Sequence, residues 1–342
     1  MRLDGGMQLD PVDRLVLDEW DAAGGASDRV VVVDAPELAA EVAARGVPTL
    51  AFCDDIRDER RLPHAVTVVT PDAALSPAPT VALLRLPKAL GALDEVAGWL
   101  ARDADPDLAL FAGGRIKHLT RGMNDVLARH FAEVSASLGR QKSRVLRGRR
   151  PTPAPVTWPR SRRHDDLDLT VSAHGATFAG AAVDPGTRLL LASLDAIARD
   201  PAERAADIGS GNGVIAVLLA RRLPGAAVDA VDTSWAGVEA TRETAAANGV
   251  DLTVHRADGL APFPDHSLDL VVTNPPFHVG TAKESTATLA MFADAARVLR
   301  PGGRFWCVFN SHLPWARALG DLGPTRIVTR SPKYTLTRTV AR

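Results

Sequence analysis

A glycine-rich turn between an apolar run and a helical pattern most constrains what this chain of 342 residues can fold into. The turn reads Asp207-Ile208-Gly209-Ser210-Gly211-Asn212-Gly213, and the apolar spacing from Val214 to Arg222 predicts a helix. Glycines permit a tight turn and let a ligand approach the backbone closely. A strand that passes through such a turn into a helix is typical of an α/β fold with a parallel sheet.

The charge before the turn indicates which ligand it can hold. The spacing is G-x-G-x-G, and Val214 replaces the third glycine of the dinucleotide-binding pattern G-x-G-x-x-G. A carboxylate at Asp207 would repel a pyrophosphate and attract a cation. S-adenosylmethionine carries an ammonium and a sulfonium group, so the sign of the charge favours this cofactor over a nicotinamide nucleotide. We predict that the turn binds it through Asp207, Gly209, Ser210, Gly211, Asn212 and Gly213.

The next two predicted strands run from Ala227 to Asp232 and from Leu252 to Arg256. The first ends on Asp232, and Asp258 follows the second after one residue. Asp232 can accept hydrogen bonds from both ribose hydroxyls, and Asp258 can accept one from the adenine amino group. Either acid alone is more often a solvated or capping side chain, but their order after a glycine turn favours binding. The predicted cofactor contacts here are Asp232, Thr233, Asp258 and Gly259.

A second motif follows the apolar run from Leu268 to Thr273, which predicts a buried parallel strand. Two consecutive prolines fix φ and remove two amide donors at the carboxyl end of this strand, where open α/β sheets bind ligands. A side-chain amide, carbonyls without competing N–H groups and an aromatic ring suit a flat base with an exocyclic amine. An ordinary Asn-Pro turn with a core phenylalanine is the alternative. The predicted catalytic residues are Asn274, Pro275, Pro276 and Phe277, with Asn274 also beside the cofactor.

Together these motifs resemble the class I S-adenosylmethionine-dependent methyltransferases, and more narrowly the bacterial ribosomal RNA guanine-N2 methyltransferases. The run from Asp207 to Ala220, the strand ending at Asp232 and the Asn-Pro-Pro-Phe-His sequence carry the resemblance. It covers residues 165–342 well and the first half loosely, and its details lean toward the large-subunit enzyme. The resemblance implies methyl transfer from S-adenosylmethionine to the N2 amine of a guanine in 23S or 16S ribosomal RNA.

The first half of the chain also alternates predicted strands and helices. Arg29 to Asp34 predicts a buried strand, yet Ala35 and Pro36 follow it in place of a glycine turn. We infer a methyltransferase-like domain without a cofactor pocket, and the resemblance implies a tandem, degenerate first copy. The predicted fold class is α/β, with two tandem Rossmann-like class I methyltransferase domains. The second has a seven-stranded, mostly parallel sheet with an antiparallel last strand.

This pattern predicts three segments. Residues 1–147 form the degenerate domain, which recognises RNA; residues 148–164 form a stiff linker rich in Pro and Arg; residues 165–342 form the catalytic domain. Within the first segment, Met123 to Ala132 is predicted to be helical. The turn Arg300-Pro301-Gly302-Gly303 is predicted to precede the fifth strand of the last segment.

The distribution of charge indicates nucleic acid better than its total, because the formal net charge is only −1. Between Gly113 and Arg163 the chain has thirteen Lys or Arg and two acids. Such a block predicts a phosphate-binding stripe, although a solvated arginine-rich linker is the alternative. The predicted RNA contacts are Arg115, Lys117, Arg140, Lys142, Arg144, Arg147, Arg149 and Arg150.

Other features limit the class of protein. The opening residues have no apolar run, and Cys53 and Cys307 form no disulfide or metal pattern, so we expect a cytoplasmic protein without metal or membrane contact. The absence of heptads suggests a monomer whose partner is ribosomal RNA or a ribosomal subunit. A glutamine N5-methyltransferase acting on release factors is an alternative, but that family has a small helical first domain. A non-catalytic rRNA-binding assembly factor would not need an intact Asp207, Asp232 and Asn274.

Overall fold

The computed structural model of the protein describes residues 9–24, 29–275 and 282–342, and for 282–287 it describes the backbone only. The chain divides into two compact units, Met1–Trp158 and Pro159–Arg342. Each unit contains a seven-stranded sheet, and a separate two-stranded sheet lies in the second unit. In the part of the chain that is described, no helix has the length and apolar character needed to cross a membrane.

The described part of the first unit alternates helices and strands. In chain order these are α1 (Pro11–Asp21), β1 (Val30–Val33), α2 (Pro36–Ala44), β2 (Thr49–Phe52), α3 (Ile56–Glu59), β3 (Thr67–Val68), β4 (Val81–Arg85), α4 (Leu90–Asp103), β5 (Ala109–Arg115), α5 (Arg121–Leu127), β6 (Phe131–Ala136) and β7 (Ser143–Pro151). The four valines of β1 are at most 1% exposed. A strand buried on both faces reads as such an apolar run, and each buried valine contributes roughly 1.5–3 kcal/mol.

The second unit opens with a hairpin and then repeats the alternation. Its elements are β8 (Arg160–His164), β9 (Leu169–Ala173), α6 (Pro185–Leu191), α7 (Leu194–Ile197), β10 (Arg204–Ile208), α8 (Val214–Arg222), β11 (Ala227–Asp232), α9 (Trp235–Ala247), β12 (Thr253–Arg256), β13 (Leu268–Thr273), α10 (Ala282–Val298), β14 (Leu299–Asn310), α11 (Trp315–Ala318), β15 (Thr325–Arg330) and β16 (Tyr334–Val340). Two apolar clusters form its core, one around Trp306 and one around Phe305.

The two large sheets have the same strand order. It is β3-β2-β1-β4-β5-β7-β6 in the first unit and β12-β11-β10-β13-β14-β16-β15 in the second. Strands β7 and β16 run antiparallel to both of their neighbours, and the other pairs are parallel. The predicted α/β class, with two tandem Rossmann-like sheets and an antiparallel last strand in the second, is confirmed.

Three sequence predictions about local structure were wrong. Phe131–Ala136 is the edge strand β6, whereas helix α5 ends at Leu127. The turn predicted from Arg300 lies within β14, which begins at Leu299. The linker predicted over 148–164 is shorter at both ends, because β7 continues to Pro151 and β8 begins at Arg160.

The arginines explain why these strands were read as a linker. In β7 and β8 most of the arginines are exposed, so neither strand has a continuous apolar face. Pairing with β5 and β6 on one side, and with β9 on the other, nevertheless fixes their backbones. The non-helical, non-strand connection that remains is residues 152–159.

Candidate active site

The two sequence motifs meet where the strand order of the second sheet reverses. Strands β10 and β13 are parallel neighbours, with Ile208 paired to Thr273, and the Thr273 hydroxyl donates to the Ile208 carbonyl at 2.7 Å. Gly209 and Asn274, the residues that follow this pair, therefore begin adjacent loops at the carboxyl edge of the sheet. In open α/β sheets this reversal point is where ligands bind.

The conformation of the glycine turn explains its composition. Gly209, Gly211 and Gly213 have φ angles of +69°, +54° and +76°. Side chains other than glycine disfavour this left-handed region. At Gly213 a Cβ atom would also lie 2.9 Å from the backbone Cα of Thr241 in α9. Glycine there lets α8 and α9 approach each other closely.

The structure places Asp207 in a buried position, and its predicted contact with the cofactor stays a prediction. Its side chain is fully buried and does not line the cleft, and its Oδ2 accepts the Ala216 N–H at 3.1 Å. That bond satisfies an amide in the first turn of α8. Burial, and then the nearby Asp232 charge, raise the pKa of Asp207 to about 8. In this conformation the Asp207 carboxylate links β10 to the first turn of α8.

Asp232 stabilises the glycine turn from the neighbouring strand. Its Oδ2 accepts the Gly211 N–H at 2.8 Å, and its Oδ1 accepts the Ser234 N–H at 2.9 Å. A carboxylate oxygen can accept more than one hydrogen bond, so these two bonds do not by themselves prevent a hydroxyl contact. The half-buried Asp232 lies at the tip of β11, and its ribose contact stays a prediction.

Asn212 connects the turn to the segment that precedes α6. Its Nδ2 donates to the carbonyls of Gly180 at 2.8 Å and Ala182 at 2.9 Å. These bonds hold the segment 178–184 beside the turn, with the half-exposed ring of Phe178 at the cleft. One wall of the cleft therefore comes from residues before the sheet begins.

The side-chain amide of Asn274 is held from the same direction. Its Nδ2 donates to the Asp184 Oδ2 at 3.1 Å and to the Thr187 Oγ1 at 2.9 Å. Asp184 precedes α6, and its Oδ2 also accepts the N–H groups of Gly186 and Thr187. Asp184 and Thr187 were missed as site residues because nothing in their local sequence indicates which distant side chain they contact.

The resulting cleft is open to solvent. Residues of α6, the 178–184 segment, the glycine turn, α8 and the loop after β13 surround it. They are Phe178, Ala179, Asp184, Thr187, Gly209, Ser210, Gly211, Asn212, Val214, Ile215 and Asn274. The structure thus brings the glycine turn and Asn274 together, as predicted.

The other predicted site residues divide into three groups. Pro275 follows Asn274 and is buried. Pro276 and Phe277 lie outside the described residues. Thr233 and Gly259 are half-buried and Asp258 is exposed, and they do not line the described cleft. Contacts of Thr233, Asp258 and Gly259 with the cofactor stay predictions.

The basic residues predicted to bind RNA differ in their local partners. Arg140 pairs with Asp18, Arg147 with Glu19, and Arg150 with Glu133. The Arg115 guanidinium donates to the Gln141 carbonyl at 3.2 Å. Four exposed cations form no ion pair with any side chain of the described residues: Lys117, Lys142, Arg144 and Arg149. These four are the side chains most available for phosphate.

Comparison with known proteins defines the class. Residues 168–338 match the methyltransferase small domain family, and residues 50–152 match the RLMG N-terminal domain. The second unit is therefore a class I methyltransferase domain, whose cofactor is S-adenosylmethionine. Its glycine turn fits that cofactor, since Gly211 lines the cleft and a Cβ there would meet no atom within 4 Å.

Relatives identified by sequence define the family. A ribosomal RNA large subunit methyltransferase G of Ectopseudomonas mendocina is 36% identical over 260 residues, which is 74% of this chain and 68% of the relative. The Streptomyces avermitilis protein of the same name is 33% identical over 272 residues, 76% of this chain and 70% of the relative. The chain belongs to the ribosomal RNA large subunit methyltransferase G family.

A solved structure with the same fold spans both units. The T. thermophilus 16S rRNA N2 methyltransferase RsmC, in complex with AdoMet and guanosine, superposes with a TM-score of 0.81 at 21% identity. The match covers 99% of this chain and 93% of RsmC.

Within the described residues, no group of three or more His, Cys, Asp or Glu side chains is arranged to hold a metal ion.

Proposed function

We propose that this chain transfers a methyl group from S-adenosylmethionine to the exocyclic N2 amine of a guanine in 23S ribosomal RNA. The observation that carries the proposal is the shared cleft. The glycine turn and Asn274 line the same opening and follow paired residues on neighbouring strands. The family relationship supports a large-subunit RNA as the substrate.

The chemistry requires a weak nucleophile to be aimed at the donor. The lone pair of guanine N2 is conjugated with the ring, and the bound cofactor supplies an electrophilic methyl group on its sulfonium. Asn274 Oδ1 and the Pro275 carbonyl accept hydrogen bonds from the N2–H groups, which favours a pyramidal nitrogen and aims its lone pair. With the cofactor bound, the N–C bond would form as the C–S bond breaks, and the alkylated nitrogen would then readily lose a proton to solvent.

The target guanine must leave the RNA stack to enter the cleft. Phe277 stacks on the base after it leaves the RNA stack. The first unit holds the RNA backbone through its exposed basic residues, and the protein acts as a monomer in the cytoplasm. A seven-stranded first sheet argues against the release-factor glutamine methyltransferases, whose first domain is small and helical.

The direct test is Asn274→Ala with labelled cofactor. The substrates are deproteinised 23S RNA and large ribosomal subunits from a strain lacking the enzyme. Loss of one preorganised polar contact at a reacting group costs about 100-fold or more in kcat. Undiminished methyl transfer by the variant would exclude the proposed role.

Cofactor affinity, measured by calorimetry, is the control for that experiment. It should fall much less than kcat, because the main role proposed for Asn274 is to accept from the target amine, although Asn274 also lines the cleft beside the glycine turn. Mapping N2-methylguanosine in the 23S RNA product then identifies the nucleotide. Methylation of a glutamine side chain in a release factor, with none in RNA, would instead support the rival family.

A further inference from the structure

Two acceptors fix the orientation of the Asn274 amide. Asp184 Oδ2 already accepts the N–H groups of Gly186 at 2.7 Å and Thr187 at 3.2 Å, so it faces donors only. The Asn274 atom beside it, 3.1 Å away, must therefore be the nitrogen. A reversed amide would place its carbonyl oxygen against this carboxylate, and two acceptors would then face each other.

Thr187 completes the arrangement. Its hydroxyl oxygen takes the second Nδ2 contact at 2.9 Å, so the two amide hydrogens have two acceptors, one at the N-cap of α6 and one in its first turn. The Asn274 Oδ1 accepts no hydrogen bond from the residues that the structure describes, and Asn274 lines the cleft. The amide therefore has acceptor capacity left for a ligand and no donor capacity.

From this geometry we propose that Asp184 and Thr187 are positioning residues that make Asn274 an acceptor only. The assignment rests on the proposed function, because it concerns the group that faces the target base. An acceptor-only amide selects a target that donates hydrogen, such as an exocyclic amine. It discriminates against a ring carbonyl, whose oxygen would face the Asn274 oxygen without a hydrogen between them.

The substitutions Asp184→Asn and Thr187→Val separate this role from a structural one. Asparagine is as good a helix N-cap as aspartate, so the start of α6 is kept, but its amide can present either an acceptor or a donor to Asn274. Valine keeps the shape of threonine and removes the hydroxyl. Thr187→Ser restores the hydroxyl, and Asp195→Asn on α7, where the acid pairs with the exposed Arg222, is the matched control.

We expect kcat for RNA methylation to fall about tenfold to 100-fold in Asp184→Asn and Thr187→Val, since small misplacements at a reacting centre have effects of that size. Thr187→Ser should recover most of this activity, and Asp195→Asn should match the wild type. The KM for S-adenosylmethionine and its calorimetric affinity should stay within about twofold in all four. A parallel loss of cofactor affinity would overturn the proposal, because Asp184 and Thr187 would then serve the cofactor.

Amide NMR gives a readout that does not need activity. The chain has five asparagines, so selective ¹⁵N-asparagine labelling yields few side-chain NH₂ signals, and Asn274→Ala identifies one of them. In the wild type the two amide hydrogens of Asn274 should exchange slowly with solvent. In a variant that combines Asp184→Asn with Thr187→Val they should exchange faster. Unchanged exchange would overturn the orienting contact, whereas a wild type without RNA methylation would exclude the proposed function alone.

Discussion

Asp34 in the first unit and Gly209 in the second occupy the same place in their sheets. Each directly follows the first strand of the central pair, β1 or β10, and each has a left-handed backbone, with φ +54° at Asp34 and +69° at Gly209. In the second unit four more residues, 210–213, intervene before α8. In the first unit α2 begins two residues later, at Pro36, and the loop that could line a cofactor is absent.

A carboxylate also fixes each turn, but in the first unit it belongs to the turn itself and in the second unit it belongs to the neighbouring strand. Asp34 Oδ1 accepts the Asp54 N–H at 2.8 Å from the end of β2, whereas in the second unit Asp232, at the end of β11, accepts the Gly211 N–H. In each unit the bond links the turn after β1 or β10 to the end of the neighbouring strand, β2 or β11. The first unit thus keeps the strand order and the tie between loops, but its shortened turn leaves no glycine cradle.

The replacement Asp34→Asn should stabilise the protein at neutral and alkaline pH. Burial raises the pKa of Asp34 to about 7 from an ordinary value of 3.8. An acid whose pKa is raised on folding contributes full stability below pH 3.8 and loses it as the pH rises toward 7. Asparagine keeps the acceptor for Asp54 and tolerates a left-handed backbone, but it never ionises.

Thermal unfolding at pH 5 and pH 8 measures this effect. The Tm of Asp34→Asn relative to the wild type should be higher at pH 8 than at pH 5. Replacing the exposed Asp251 by asparagine is the control and should show no such dependence. A variant that is equally destabilised at both pH values would mean that Asp34 acts through a contact other than the desolvation of its charge.

Asp207→Asn should distinguish the local role of this buried acid from direct cofactor binding. The pKa of Asp207 is raised to about 8, so its contribution to stability is present below pH 3.8 and declines as the pH approaches 8. Asparagine can still accept the Ala216 N–H. We expect a higher Tm for the variant without cofactor at pH 8, and a cofactor affinity within about threefold of wild type, which is under 1 kcal/mol.

The opposite pattern of affinity and Tm would support the direct cofactor contact that the sequence predicts for Asp207. If Asp207→Asn lowers the affinity for S-adenosylmethionine tenfold or more and leaves the Tm without cofactor unchanged, the carboxylate must turn toward the cofactor. Calorimetry and thermal unfolding on the same preparations make the comparison. Asp251→Asn again serves as the reference.

Sequence patterns predicted the parts of this protein that depend on local chemistry. Apolar runs indicated the central strands, and the glycines and prolines marked the loops that end β10 and β13. Strand β6 was missed because Phe131 is its only buried residue and Val134 its only half-buried one. The other four residues are exposed, so no alternating apolar face identifies the strand. Pairing with β7 makes it a strand.

Contacts between distant residues account for most of what sequence reasoning missed in the site. Asp184 and Thr187 hold Asn274 across 90 and 87 residues of sequence, and Asn212 reaches back to Gly180 across 32. The burial of Asp207 could not be predicted from its position before a glycine turn. An exposed and a buried carboxylate at the end of a strand look the same in sequence.

Gly213→Ala should abolish cofactor binding, while Gly225→Ala should not. Both glycines have left-handed backbones, with φ +76° and +94°. Alanine in that region costs roughly 1–2 kcal/mol at either position. At Gly213 the new Cβ would in addition lie 2.9 Å from the Thr241 Cα, whereas at Gly225 it would meet no atom within 4 Å. Calorimetry with S-adenosylmethionine and thermal unfolding measure the difference, and equal effects of the two substitutions would show that the approach of α9 is unimportant.

Reversing the charge at Arg144 and Arg149 should weaken RNA binding through lost phosphate contacts. Both side chains are exposed on β7 and form no ion pair with any described residue, while Arg147 between them is engaged by Glu19. A cation that contacts phosphate releases counterions, so each one lost should reduce the slope of log affinity against log salt by about 0.7–0.9. The double variant Arg144→Glu with Arg149→Glu should bind a 23S RNA fragment less tightly, with a shallower salt dependence and unchanged affinity for S-adenosylmethionine. The double variant Arg199→Glu with Arg326→Glu, at exposed positions of the second unit, carries the same change in net charge and is the control. An equal loss in both proteins would indicate a general charge effect rather than a surface on the first unit that recognises RNA.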